Sequence, residues 1–393
     1  MRRSWALLAT LAVTLLAAPA ARASTTLQRV LGGQMRHAGG ASGALAVDLG
    51  SGRTLYGLRS ATGRMPASVE KLWTTSTALL RLGPDTTFDT VVRVAGRIDA
   101  FGVVHGNLYL VGGGDPTFGD DDIGRLAAQV ALAGITRVKG RVVGDESYFD
   151  TLRGVPSSGY AWSPDVEPLS SLAYDRDVAH HSYVSAPAVR AAQALTDALR
   201  RRHIKVGRSP IRRSTPAGAR RVAVVRSPPL KTFIRLTNQP SDNFYAETLI
   251  KDLGARLGRG GTTAAGAAVV RRQAARLGLH PRVYDGSGLS RSDRSSPRHV
   301  VSLLRDMMRH PGFTQSLAVT GRSGTLADRL RHAPASGRCR GKTGTLRDAS
   351  NIAGFCRTLH GHTVLFAILM NAVYPPSAHV LQDRMVQAIV RSG

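Results

Sequence analysis

The chain has 393 residues, 42% apolar and 20% charged, a balance that supports a packed core and excludes a mostly disordered polymer. Its 42 glycines and 19 prolines follow no triplet repeat, which excludes collagen, and the length predicts about two to three domains. Lys and Arg total 53 against 26 Asp and Glu, a formal charge of +27 that reflects either an arginine bias or attraction to nucleic acid or an anionic envelope.

The N-terminus carries Arg2 and Arg3, an uncharged and mostly apolar run from Ala6 to Ala18, and Ala21-Arg22-Ala23 before Ser24. This pattern predicts a secretory signal peptide over 1–23, with an uncleaved anchor as the alternative. Export argues against nucleic acid as a partner and turns the charge towards an anionic cell wall or membrane surface. Leu27 to Met35 reads as a short helix. Ala44–Asp48 and Thr54–Leu58 alternate around Gly50-Ser51-Gly52, which predicts a hairpin. A helix is expected from Ser68 to Leu82, ended by Gly83-Pro84.

The character of the chain changes at residue 85. Phe88–Val94, Gly106–Val111 and Arg137–Val143 are β-rich, with a helical stretch at Ile123–Leu132 and a tight loop at Gly112–Pro116. Tyr160–Pro187 reads as irregular, so 85–186 is expected to be an inserted α+β domain. Helical periodicity returns at Val189–Arg202, followed by a strand-like run at Arg220–Val225 and helical stretches at Leu230–Asn238, Phe244–Leu257 and Pro297–Arg309. Three alternating runs follow, Lys342–Thr345, Asn351–Cys356 and His362–Met370, then a last helix at Ala378–Val390. Residues 24–84 and 187–393 are thus expected to form the main domain, with no internal repeat.

Three short motifs carry chemistry. In Ser68-x-x-Lys71 the two residues share one helix face. A serine hydroxyl becomes a nucleophile when a nearby base takes its proton, and a lysine does so once burial or positive neighbours lower its pKa. The chain has six lysines, and only Lys71 has a serine three residues before it. In Ser241-Asp242-Asn243 the hydroxyl can relay a proton to a leaving group and the amide can hold a carbonyl or orient the lysine. Only one of five asparagines, Asn243, stands in Ser-x-Asn. In Lys342-Thr343-Gly344-Thr345 the lysine and threonines can bind a carboxylate, and the glycine is expected to leave room for a substrate backbone. The Thr345 and Ser68 N–H groups can together face an oxyanion. Taken singly, each motif also reads as an ordinary helix face, a capped polar loop or a plain strand.

In this order the three motifs resemble the class C low-molecular-mass penicillin-binding proteins, the D-alanyl-D-alanine carboxypeptidase/endopeptidase family. Gly113-Gly114-Asp115-Pro116-Thr117, Asn238-Gln239-Pro240, Asp285-Gly286-Ser287-Gly288-Leu289-Ser290-Arg291 and Asn351-Ile352-Ala353-Gly354-Phe355 extend the resemblance over nearly all of the chain after the signal. It implies an α+β fold of the penicillin-binding-protein/β-lactamase type, an antiparallel sheet flanked by helices, with a smaller inserted domain. It implies Ser68 as nucleophile, Lys71 as base and Ser241 as proton relay. Lys342 and Thr345 would bind the substrate carboxylate, with Asn243 steadying the peptide. Peptidoglycan stem peptides would be the substrates, β-lactams covalent inhibitors, and no cofactor or metal is expected. Asp165 matches, within one residue, an acid that reads the stem-peptide side chain. Arg291 and Arg347 match positions beside the active site, although a Gln stands at the second in some relatives. The stretch between Lys71 and Ser241 is short for the family, so a second insert found in many members is expected to be absent or vestigial. A serine β-lactamase is disfavoured by the insert, and by the lack of a deacylating Glu loop after Ser241-Asp242-Asn243. A non-hydrolytic envelope sensor and a wall-docking protein remain the other readings.

Two cysteines, Cys339 and Cys356, either pair or stay free in an exported protein. If Gly344 and Asn351 pair across a hairpin, the cysteines face each other. His180-His181 and the other histidines show no metal-ligand spacing, and Asp120-Asp121-Asp122 reads as an acidic helix start.

Overall fold

The computed structural model describes residues 14–179 and 182–392. First come α1 (Thr14–His37), the hairpin β1 (Gly43–Asp48) and β2 (Thr54–Leu58), and α2 (Lys71–Leu82). There follow β3 (Asp89–Ile98), β4 (Val103–Val111), α3 (Asp120–Leu132), β5 (Arg137–Val138) and β6 (Val142–Asp145). After a small ladder of β7 (Val178–Ala179) and β8 (Ser182–Tyr183) come α4 (Pro187–Arg201), β9 (Lys205–Val206), β10 (Ile211–Arg212) and β11 (Arg220–Arg226). Next are α5 (Leu230–Asn238), α6 (Asn243–Leu257), α7 (Thr263–Arg276), α8 (Pro297–Met307) and the short α9 (Pro311–Thr314). The chain closes with β12 (Ala318–Val319), β13 (Cys339–Leu346), β14 (Ala349–Arg357), β15 (Thr363–Asn371) and α10 (Pro375–Arg391). Most of the expected signal segment, residues 1–13, lies outside the described residues, as does His180-His181.

Six strands form an antiparallel sheet in the order β12-β13-β14-β15-β1-β2. Successive strand side chains point to opposite faces, and here each face has its own core. Leu45, Val47, Ala353, Leu365 and Ala367 join the core under α2 and α5–α8. Ala44, Ala46, Ile352, Phe366 and Ile368 join the core under α1 and α10. Helix α2 is buried along most of its length, from Lys71 to Leu79, with its neighbours on every side. The β13–β14 ladder sets Gly344 opposite Asn351 and Cys339 opposite Cys356, and the two cysteines are disulfide-bonded.

The second sheet runs β10-β6-β4-β3-β11, with β5 joining β4 to β9. Its boundary differs from the expected end at 186. Helix α4 buries Ala188, Ala191, Ala192, Leu195 and Leu199 in the second core, and β11 pairs with β3, so residues 187–226 belong to the insert rather than to the main domain. The returning helix looked like part of the main core because an apolar stripe does not say which sheet it faces. The insert leaves and re-enters the main domain at one place: Leu230 and Lys231 N–H donate to the Thr86 and Pro84 carbonyls.

Helix α7 escaped the sequence reading because its buried face holds no large apolar residue, only Gly266, Ala267, Val269, Val270 and Ala274 with Thr263 and Gln273. A Cβ on Gly266 would lie 1.8 Å from the Ile250 carbonyl oxygen, so glycine permits the close approach of α7 to α6.

Candidate active site

Ser68 is half-buried on a short 3-10 turn, Ala67–Glu70, that runs directly into α2, rather than on the α-helix itself. Ala67 has φ +45°, a left-handed conformation that costs a non-glycine residue about 1–3 kcal/mol and persists only where neighbours enforce it. The sheet enforces it here. Asn351 Nδ2 donates to the Met65 and Pro66 carbonyls at 3.1 and 2.8 Å, and Asn371 Oδ1 accepts from Met65 N–H at 2.9 Å. Gly344 is part of the same device. A Cβ there would stand 2.6 Å from the Pro66 oxygen and 2.9 Å from the Ser68 nitrogen. Glycine at 344 therefore lets β13 pack directly against the turn that carries Ser68.

Lys71 is fully buried. Its Nζ contacts Ser68 Oγ at 2.9 Å, Asn243 Oδ1 at 2.6 Å and the Ser287 carbonyl at 2.9 Å. An ammonium would donate to all three. A neutral amine has two protons and a lone pair, and the lone pair can take the serine proton. Burial lowers the Lys71 pKa to about 8, against the raising pull of Glu247, Asp285, Asp242 and Glu70.

Glu70, Glu247 and Asp285, with Asp293, form a buried layer behind the lysine. Glu247 Oε1 accepts from Gly286 and Ser287 N–H at 3.0 and 2.8 Å, so it fixes the loop whose carbonyl meets Lys71. Asp285 does the same for Gly288 and Ser290 at 2.7 and 2.6 Å. Burial, with Asp285 adding its charge, pushes Glu247 up to about 8 and Asp293 up to about 12. Burial also holds Glu70 well above the usual carboxylate range, and neither of its oxygens has a partner among the described residues. Neutral acids are the form in which such a layer is tolerated inside a protein.

On the other side, Lys342 is also fully buried and donates to Ser241 Oγ and the Thr343 carbonyl, both at 2.7 Å. Burial, then the charge of Lys71, holds it well below the usual ammonium range. Ser241 has φ +65°, a second left-handed non-glycine position, which turns its hydroxyl towards Lys342. Asp242 caps α6 by accepting from Tyr245 N–H at 3.0 Å, and Asn243 is the first residue of that helix. Thr343 Oγ1 bonds Thr325 Oγ1 at 2.7 Å, and Thr345 is exposed. The short strand β12 pairs with β13 only at Arg340 and Gly341, so from Lys342 onward β13 offers no strand partner on that edge.

Asp165 reaches this centre through its backbone: its carbonyl accepts from Asn243 Nδ2 at 2.9 Å, while the residue itself is exposed. This bond fixes which end of the Asn243 amide faces Lys71. Arg291 lies at the rim, held in a two-pronged pair with Asp348 at 2.8 Å for each bond, beside the exposed Arg347 in the β13–β14 turn. Sequence reasoning missed Glu70, Glu247, Asp293 and Asp348. The only signal was the scarcity of acid in so basic a chain. Asn351 and Asn371 had a better signal in the scarcity of asparagine.

The chain matches the family described as D-Ala-D-Ala carboxypeptidase 3 (S13) over residues 29–179 and 171–391. A D-alanyl-D-alanine carboxypeptidase from Actinomadura sp. (strain R39) is 28% identical over 437 aligned positions, which cover 88% of this chain and 80% of the relative. Penicillin binding protein 4 from Haemophilus influenzae superposes with a TM-score of 0.77 at 19% identity, covering 93% of this chain and 98% of that one. Its complex with a β-lactam superposes at 0.71 and 19% identity, covering 92% and 97%. The fold is therefore of the penicillin-binding-protein type, and the chain belongs to the D-Ala-D-Ala carboxypeptidase 3 (S13) family of serine peptidases.

Proposed function

We propose that the protein is an exported DD-carboxypeptidase and endopeptidase that cuts peptidoglycan stem peptides through an acyl-enzyme on Ser68. The observation that carries this reading is the convergence of two buried lysines on two serines, Lys71 on Ser68 and Lys342 on Ser241. The neutral Lys71 amine takes the Ser68 proton as Oγ bonds to the carbonyl carbon of the penultimate D-Ala. The developing oxyanion is met by the Ser68 and Thr345 N–H groups. Collapse breaks the C–N bond, and the leaving amine takes its proton from Ser241, which Lys342 replenishes. Lys71 then releases its proton to solvent, takes one from the water that attacks the ester, and passes it to Ser68 Oγ as the acyl bond breaks. The terminal carboxylate is bound by Lys342 and Thr345, and its negative charge returns the desolvated Lys342 to its ammonium form. Asn243, held by the insert at Asp165, steadies the peptide, while Asp165 reads the stem-peptide side chain and Arg291 and Arg347 stand beside the active site. Cutting a cross-link follows the same steps with a different amine leaving. β-Lactams acylate the same serine, a reading supported by the β-lactam complex of the H. influenzae protein. Export rests on the pattern of residues 1–23.

The test incubates the protein and Ser68→Ala with a fluorescent penicillin and with a D-Ala-D-Ala pentapeptide. Stable labelling and D-Ala release are expected, both lost in the variant. Rapid penicillin turnover without D-Ala release identifies a β-lactamase, and labelling without turnover of either identifies a sensor.

A further inference from the structure

The edge of the inserted domain farthest from the active site has no part in the chemistry above. Strands β4, β5 and β9 run parallel and begin in register, with Val103, Arg137 and Lys205 in one row. The loops that precede them, around 99–102, 133–136 and 202–204, therefore share one edge. The other ends of the insert rest on the main domain, where Lys251 Nζ pairs with Asp150 Oδ1 at 2.6 Å and Gly114 packs against Asp252. Strand β4 alone spans roughly 30 Å between the two ends.

Two apolar side chains stand out on this edge. Phe101 is 83% exposed and Leu132 87%, the most exposed large hydrophobic residues among those described. Phe101 is displayed by a well-bonded turn. Asp99 Oδ1 accepts from the N–H of both Phe101 and Val103 at 3.0 Å. Thr136 Oγ1 donates to the Phe101 carbonyl at 2.7 Å, and a Cβ on Gly102 would lie 1.9 Å from the Gly134 oxygen. The loop bearing Phe101 is thus clamped to the loop just after Leu132.

Around the pair, Arg137, Arg201, Arg202 and Lys205 are all exposed, and none has a carboxylate partner among the described residues. The local acids are already engaged: Asp99 with His105 at 2.8 Å, Asp197 with Arg200 at 3.5 Å. A soluble polyanion would use the cations and gain nothing from the two apolar side chains. A bilayer with anionic headgroups uses both, because the aromatic and the leucine enter the headgroup–acyl boundary while the cations meet the phosphates. We propose that this distal edge docks the protein on an anionic phospholipid membrane, through Phe101 and Leu132 set in a ring of Arg137, Arg201, Arg202 and Lys205.

The test uses the full chain with Phe101→Cys carrying a polarity-sensitive fluorophore. Cys339 and Cys356 are bridged, so the label is site-specific. A control label goes on Leu359→Cys, an exposed position on the main domain. Phosphatidylglycerol-containing vesicles should raise and blue-shift the emission at 101 but not at 359, and pure phosphatidylcholine should do neither. Arg137→Glu/Lys205→Glu should raise the lipid concentration at half-response at least about tenfold. Arg384→Glu/Arg391→Glu, on α10, should leave it unchanged, and circular dichroism checks that each variant is folded. Equal responses at both labels would mean tethering by another segment. Equal loss in the α10 variant would mean general charge attraction. A response to soluble wall polymer without one to vesicles would mean a polyanion site. Each of these results, or no response at all, overturns the proposal.

Discussion

Lys71 and Glu247 are linked by the Ser287 peptide, which gives its carbonyl to one and its N–H to the other. Burial lowers the Lys71 pKa and raises that of Glu247, each to about 8, because it disfavours the charged form of both. The proposed mechanism uses the neutral amine. The acylation rate should therefore rise about tenfold per pH unit below about 8 and level off above it, as the pair loses one proton. Stopped-flow labelling with a fluorescent penicillin measures this, and a profile flat from about pH 5 to 9 would remove Lys71 from the role of base. Ser68, Lys71, Ser241, Asn243 and Lys342 were legible because their order and spacing form a rare pattern. Glu70 sits inside that pattern and was still missed. A carboxyl's role depends on how deeply it is buried, and no short motif records that.

Helix α6 shows how one element couples distant parts. Asn243, Glu247 and Lys251 recur every four residues and so lie along one face. They contact, in turn, Lys71, the Gly286–Ser287 loop and the insert, where Lys251 also donates to the Leu152 carbonyl at 2.7 Å. The β13–β14 hairpin works by rigidity. Gly344 brings it against the Ser68 turn, and the disulfide closes its far end across 17 residues. Replacing both cysteines by serine should lower unfolding stability by about 3 kcal/mol, read as a shift of the denaturant midpoint, while penicillin labelling persists in the folded variant. An unchanged midpoint would show that the sheet needs no brace there. The hairpin could be anticipated from alternation alone, but the approach of the turn to Gly344 involves residues far apart in the chain.

At the scale of the whole molecule, two sheets with separate cores meet along α6 and the loops around Gly114, Asp150 and Asp165. Because α4 and β11 complete the second core, a fragment of residues 87–228 should fold alone with a cooperative thermal transition. A fragment of residues 85–186 should not, since it leaves Leu108, Leu126 and Val142 without the face that α4 covers. Circular dichroism melts of the two fragments decide this, and a cooperative transition in the shorter one would restore the boundary at 186.

What the sequence determined by itself was the set of motifs and the local elements, because motif spacing and hydrophobic periodicity are properties of short stretches. It singled out Lys71 and Lys342 among six lysines, offered the hairpin register in which the cysteines face each other, and marked the presence of an insert. The tertiary structure decided which sheet α4 covers, why Gly344 is a glycine, and that a layer of buried acids backs Lys71. Each of those depends on burial and on contacts between remote residues. Free energies of desolvation and close packing are set by the surroundings, and the surroundings exist only once the chain has folded.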